Sequence, residues 1–220
     1  MDGPALQALL QALLQDLLVA ASPLMAAAFT LWGSPVTWLE LVAFVLSLAM
    51  VAANMRVNPI GWPLAIVASL LYGLLFAQSK LYGEAVLQLF FVVVSFWGWW
   101  MWLRGRARDG GALQVHRLSR RAALAAFAAT LLAWPLAALV LARATDSDVP
   151  VLDALATVAS VTGQVLLGRK LVENWLVWFA VNIFSAGLFA YKALWLTLLL
   201  YGLFALLSLA GWRAWRAKLV

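Results

Sequence analysis

Phe91-Val-Val-Val-Ser-Phe-Trp-Gly-Trp-Trp-Met-Trp102 carries no charge. At a distance of 113 positions, Phe204-Ala-Leu-Leu-Ser-Leu-Ala-Gly-Trp-Arg-Ala-Trp215 repeats its Phe, Ser, Gly, Trp and Trp in register. Shared Leu and Ala arise readily by chance in so apolar a chain; paired tryptophans at one fixed offset do not. The same ungapped offset lays residues 38–102 over 151–215 and adds Ser47/Ser160, Arg56/Arg169, Trp62/Trp175 and Phe76/Phe189. The chain reads as a duplicated unit separated by an intervening segment.

The composition says what the unit is made for. Of 220 residues, 66% are hydrophobic and 11% charged, with a mean hydropathy of +0.96. Soluble domains hold roughly a quarter charged residues, so a polar surface cannot be assembled here, and disorder is excluded by the apolar content. Without cysteine and with His116 the single histidine, thiol chemistry and an imidazole metal cluster are both absent. No cofactor is expected. The sequence describes an all-α polytopic membrane protein with no nucleic-acid role, its net charge of +6 serving to orient it in the bilayer.

Apolar runs between polar, Gly and Pro punctuation predict seven spans at 37–55, 61–77, 81–103, 119–142, 150–168, 174–191 and 194–215. Gln7, Gln11 and Gln15 draw a narrow polar stripe on a Leu/Ala helix. The N-terminus therefore reads as an amphipathic or interfacial helix leading into a short buried segment, with an eighth span as the alternative. The domains follow: the interfacial helix region at 1–34, a first three-helix repeat at 35–104, a basic loop and linker helix at 105–145, a second three-helix repeat at 146–216, and a tail at 217–220. The N-terminus lacks the basic start of a secretory signal.

Charge selects one orientation. Twelve of the 15 basic residues fall in the 56–60 turn, the 104–121 loop, the 169–173 turn and the C-terminal segment, which places these four in the cytoplasm and the start of the first predicted span outside. Four crossings separate the repeat starts, so both repeats enter the membrane in the same direction. A 3+1+3 arrangement of parallel repeats implies a pseudo-two-fold axis along the membrane normal and a substrate site near the midplane between them.

Polar side chains within spans are costly unless they face a bundle interior or a wet cavity. Trp175, Trp178, Asn182 and Ser185 share one face of their helix, and Trp62, Ala65, Ser69 and Tyr72 hold the equivalent face one repeat earlier. Gln88, Phe91 and Ser95 line another helix; Tyr201, Phe204 and Ser208 line its counterpart; Ser160 and Gln164 line a fifth. Aromatic faces attract flat π-systems and organic cations, and the amides both donate and accept hydrogen bonds. No Lys or Arg lies mid-span to neutralise a phosphate. The expected cargo is a flat, neutral or cationic, unphosphorylated small molecule.

Other features have plainer readings. Trp97, Trp99, Trp100, Trp102, Trp212 and Trp215 are expected in an interfacial belt, and the span serines in helix packing. Glu40 and Asp153, matched acids at outer helix starts, complement the helix dipole, with a gate as the second reading. Glu84 is a third such gate or helix-end residue. Glu173 is expected as an N-terminal cap or dipole partner of its helix. No nucleophile–base pair or phosphate-cradling loop is present, so an enzyme is not expected.

Asn58-Pro-Ile-Gly-Trp-Pro63, Leu81-Tyr-Gly-Glu-Ala-Val-Leu-Gln88, Glu173-Asn-Trp-Leu-Val-Trp178 with Asn182, Tyr191-Lys192, and the two Gly-Trp pairs form a recognisable pattern over about 38–215. It resembles the PnuC family of bacterial vitamin-precursor transporters. That resemblance implies a seven-helix fold like a full-length SWEET-type transporter, a trimer in the inner membrane. It also implies uptake of nicotinamide riboside by facilitated diffusion through alternating access, with trapping by a cytoplasmic kinase. Thiamine or riboflavin is the alternative cargo. Set on this family, Trp178, Tyr72 and Tyr201 would enclose the pyridinium ring, Asn182 would read the amide, and Gln88 and Gln164 would take ribose hydroxyls; Trp175 and Trp62 are further binding candidates.

Overall fold

The computed structural model describes residues 16, 19, 21–31, 33–78, 82–106, 110–144, 149–191 and 195–219. Seven α-helices run through them: α1 (Trp38–Met55), α2 (Gly61–Gln78), α3 (Tyr82–Arg104), α4 (Arg120–Ala144), α5 (Pro150–Gly168), α6 (Asn174–Tyr191) and α7 (Trp195–Arg216). They coincide with the seven predicted spans to within a residue or two. A lipid-embedded segment must satisfy its backbone internally, and a helix does so from local bonds alone. Five are long and apolar enough to cross a membrane: Trp38–Met55, Gly61–Gln78, Arg120–Arg143, Pro150–Gly168 and Leu198–Arg216. The chain is a multi-pass membrane protein.

The expected N-terminal helix lies largely outside the described residues. Its described residues Asp16, Val19 and Ala21 are helical, as expected; beyond them the 1–34 region departs from the expected buried segment. Ser22–Met25 forms a 3₁₀ turn, and Ala27–Leu31 (β1) pairs antiparallel with Ser34–Thr37 (β2). Gly33, at φ +83°, supplies the left-handed residue the reversal needs, and Phe29, Thr30, Val36 and Thr37 suit an extended ribbon. The Thr37 hydroxyl then accepts the Glu40 backbone N–H at 3.1 Å, capping α1.

By contacts the chain divides into two units, Met1–Met50 with Pro63–Val93, and Val51–Trp62 with Val94–Val220. In the smaller unit, Tyr72 stacks on Phe76 along α2, and the Gln88 Cβ lies close beside Gly73. In the larger unit, α5 packs on α4 and α6, and α6 packs on α7.

The larger unit contains the same turn twice. After α1, Val57 takes φ +58°, and after α5, Lys170 takes φ +54°, 113 positions later. Asn58 N–H donates to Ala53 O and Val57 N–H to Asn54 O; Leu171 N–H donates to Leu166 O and Lys170 N–H to Leu167 O. This is the left-handed Schellman ending of a helix, which satisfies the last carbonyls before the chain turns back.

Four tryptophans gather behind these turns. Trp62 meets Trp102 edge-on at 5.5 Å, Trp175 meets Trp215 edge-on at 5.6 Å, and Trp102 and Trp215 join the pairs at 6.0 Å. Val115, Leu167 and Val172 complete this core. Trp102 and Trp215 were expected in the interfacial belt; they are instead 6% and 0% exposed. The reason is glycine: Gly98 and Gly211 leave notches that the Trp62 and Trp175 rings fill, drawing the neighbouring indoles inward. Trp100 stays exposed, as a belt residue would.

Candidate functional site

Helices α5, α6 and α7 of the larger unit, with Ser95 of α3, carry two amides, their hydroxyl partners and one indole. On α5, Gly163 precedes Gln164. On α6, Trp178 and Asn182 lie one turn apart. On α7, Tyr201, Phe204 and Ser208 share a stripe.

Gly163 has no side chain to hold Trp178 away. An added Cβ there would sit 3.1 Å from the indole Cε2 and 3.2 Å from Nε1. The indole therefore rests on the α5 backbone, half-buried, with its orientation fixed from behind. One turn further along α6, the buried Asn182 donates from Nδ2 to Ser208 Oγ at 3.3 Å. The Ser208 hydroxyl in turn donates to the Phe204 carbonyl at 2.8 Å. Gln164, also buried, makes the longer counterpart contact, Nε2 to Ser95 Oγ at 3.5 Å. Tyr201 stands edge-on to Phe204, ring centroids 6.1 Å apart.

The remaining sequence candidates lie elsewhere. Tyr72 and Gln88 belong to the smaller unit. Trp62 and Trp175 are buried in the tryptophan core, their Nε1 atoms without a hydrogen-bond partner. Glu40 and Asp153 are half-buried in the first turns of α1 and α5, where negative charge complements the helix dipole. The Glu84 side chain lies outside the described residues. Among the described residues, no group of His, Cys, Asp or Glu could hold a metal.

Ser95 and Ser208, expected on polar helix faces and in helix packing, each meet an amide. Glu173, expected as an N-terminal cap or dipole partner, stands immediately before α6, its carbonyl accepting the Val177 N–H at 3.2 Å, while its carboxylate accepts the Leu118 backbone N–H at 2.8 Å. His116 N–H to Lys170 O at 3.2 Å, Val172 N–H to His116 O at 3.0 Å and Lys170 Nζ to Leu113 O at 2.9 Å continue the seam. The 113–118 segment is thus stitched along the turn between α5 and α6. Burial there pushes the Lys170 ammonium below the ordinary lysine range.

Residues 37–217 match the family described as nicotinamide mononucleotide transporter. The chain is 25% identical over 207 residues to the nicotinamide riboside transporter PnuC of Escherichia coli (strain K12), covering 83% of this chain and 87% of that protein. It is 28% identical over 192 residues to the riboflavin/roseoflavin transporter RibM of Streptomyces davaonensis, covering 86% and 89%. A crystal structure of the vitamin B3 transporter PnuC superposes with a TM-score of 0.69 at 27% identity, over 82% of this chain and 81% of the other.

Proposed function

The chain belongs to the nicotinamide mononucleotide transporter family, and from that premise we propose that it carries nicotinamide riboside across the bacterial inner membrane. Family and relatives differ in the cargo their names give, a mononucleotide against a riboside or a flavin. The chemistry of this chain favours the riboside. A phosphate needs a cation or a row of backbone N–H donors, and no Lys or Arg occurs within the spans away from their ends. A pyridinium ring asks only for an aromatic face, and a carboxamide and ribose ask for amides.

The observation that carries this reading is Trp178 seated on Gly163 with Asn182 one turn away and held by Ser208. Trp178 and Tyr201 face the ring, Asn182 reads the carboxamide, and Gln164 takes ribose hydroxyls. Tyr72 and Gln88 offer the same two chemistries in the smaller unit. The 3+1+3 arrangement of parallel repeats, SWEET-like, with the C-terminus cytoplasmic and a homotrimeric assembly, belongs to the same proposal. Its supports are the paired turns at Val57 and Lys170, the paired indoles, and the asymmetry of basic residues. Transport is facilitated diffusion by alternating access, because no intramembrane acid pair is available to cycle a proton; phosphorylation in the cytoplasm traps the cargo.

Uptake of radiolabelled nicotinamide riboside by Trp178→Ala and Asn182→Ala variants tests the site. Strong loss in both is expected, and undiminished transport in both overturns the assignment. Accumulation of free riboside above its external level, abolished by an uncoupler, would refute facilitated diffusion. The match to RibM keeps riboflavin as a second reading. A calorimetric panel of nicotinamide riboside, its 5′-phosphate, thiamine and riboflavin separates the alternatives.

A further inference from the structure

We infer that Ser208 is a positioning residue: it fixes which end of the Asn182 amide faces the cargo, and so makes the carrier select a carboxamide over the corresponding carboxylate. The inference rests on the proposed riboside cargo and deepens it.

The argument is a proton count. A serine hydroxyl has one proton and two lone pairs. Ser208 Oγ lies 2.8 Å from the Phe204 carbonyl, and a carbonyl can only accept, so the hydroxyl proton is committed there. What Ser208 can still offer is a lone pair. The Asn182 atom 3.3 Å away must therefore be the NH₂ group, as the contact from Nδ2 requires. Both residues are buried, Asn182 at 6% and Ser208 at 3% exposure, so water does not readily replace either partner. An amide is planar. Tying its nitrogen to α7 turns its carbonyl oxygen to the other side as the atom presented to a ligand. Ser95, one repeat earlier, stands against Gln164 Nε2 at 3.5 Å, a longer version of the same pairing.

A presented carbonyl oxygen accepts from the N–H of a carboxamide. Against a carboxylate it sets acceptor on acceptor and leaves both groups unpaired, and mispaired buried polar groups are where binding sites discriminate most strongly. With the hydroxyl removed, the Asn182 amide is free to turn over and offer its NH₂ to the carboxylate. The serine thus acts on selectivity through Asn182 and does not touch the cargo.

The test compares binding of nicotinamide riboside with binding of the same riboside carrying a 3-carboxylate, by calorimetry on purified, monodisperse protein. Wild type should prefer the carboxamide by about 10-fold or more, one hydrogen bond's discrimination. In Ser208→Ala the ratio should collapse toward unity, and Ser208→Thr, which keeps the hydroxyl, should restore it. Should the alanine variant fold poorly, Ser208→Val asks the same question with the shape of threonine and no acceptor. A ratio unchanged in Ser208→Ala or Ser208→Val overturns the inference while leaving the riboside reading intact. Wild-type protein that binds neither riboside overturns the proposed function itself. A merely structural serine would weaken both ligands equally and leave the ratio alone.

Discussion

Trp215 and Asn54 stand 161 residues apart in the chain, and the indole Nε1–H of the first donates to the backbone carbonyl of the second at 2.9 Å. Trp102 makes the counterpart bond to the Leu167 carbonyl at 3.1 Å. Asn54 and Leu167 are themselves 113 positions apart, as the two tryptophans are. Each repeat's closing tryptophan is therefore fastened to the helix end of the other repeat. The chain beyond follows the same exchange. Lys218 Nζ reaches the Arg56 carbonyl at 3.0 Å, and the 113–118 segment lies along the turn after α5.

Removing one fastening should be measurable. Trp215→Phe keeps an aromatic ring but removes the indole donor to the Asn54 carbonyl, which retains the Val57 N–H, so the cost is that of one net hydrogen bond, about 0.5–1.5 kcal/mol. A melting temperature several degrees lower is expected in detergent, and Trp102→Phe should behave alike. The double variant should lose less than the sum, since the two rings are in contact. Strict additivity would contradict this coupling.

Glycine at 98 and 211 is required by close approach. A Cβ at Gly211 would lie 2.5 Å from the Trp175 ring, and one at Gly98 would overlap Trp62. Both rings are buried and cannot retreat, so Gly98→Ala and Gly211→Ala should each destabilise by about 1–3 kcal/mol through overpacking. Gly202→Ala, on α7 with open space around it, should be neutral or stabilising by helix propensity. Thermal unfolding of the three variants side by side checks the contrast.

Gly163→Ala addresses the proposed site without altering its amides or hydroxyls. The added methyl would press on Trp178 from 3.1 Å, a displacement of a few tenths of an ångström. Weakened riboside binding by about 10-fold is expected, with folding preserved. Binding equal to wild type would show that the indole position does not matter to the cargo.

The seam at Glu173 should govern the loop. Glu173→Ala strips the acceptor from the Leu118 N–H, whereas Glu173→Gln keeps one. Hydrogen exchange across 113–118 should quicken in the alanine variant and remain near wild type in the glutamine variant. Equal protection in all three would argue against the carboxylate as the anchor.

Lys170 gives stability an alkaline pH dependence of known sign. Its folded-state pKa lies below the unfolded value because burial disfavours the charge. The unfolded chain then holds more protons between the two values, so this residue's contribution rises with pH in that window, which ends near the ordinary lysine value of about 10.4. Below the window the charged form carries a desolvation cost, moderated by its bond to Leu113 O and its place over the Trp102 ring. Lys170→Met should flatten this segment of the melting-temperature profile. An unchanged slope would remove Lys170 as its source.

Sequence alone determined the helices and the membrane environment. Apolar runs of span length admit one backbone solution in lipid, and paired tryptophans at a fixed offset survive inspection without coordinates. It also singled out Trp178, Asn182 and Gln164, because polar groups and rings at helical spacing inside a span are expensive and therefore informative. Tertiary structure decided which partners those groups take. A serine at an i, i+4 distance from Phe204 looks the same whether it packs or meets an amide, and only the approach of α6 to α7 sets Ser208 against Asn182. Trp102 and Trp215 carried every mark of an interfacial belt; the notches at Gly98 and Gly211, which exist only once helices touch, made them core. Local periodicity reports which face of a helix is polar, but burial and hydrogen-bond pairing are properties of two surfaces meeting, and the second surface lies 26 residues away for Ser208 and Asn182 and 161 for Trp215 and Asn54.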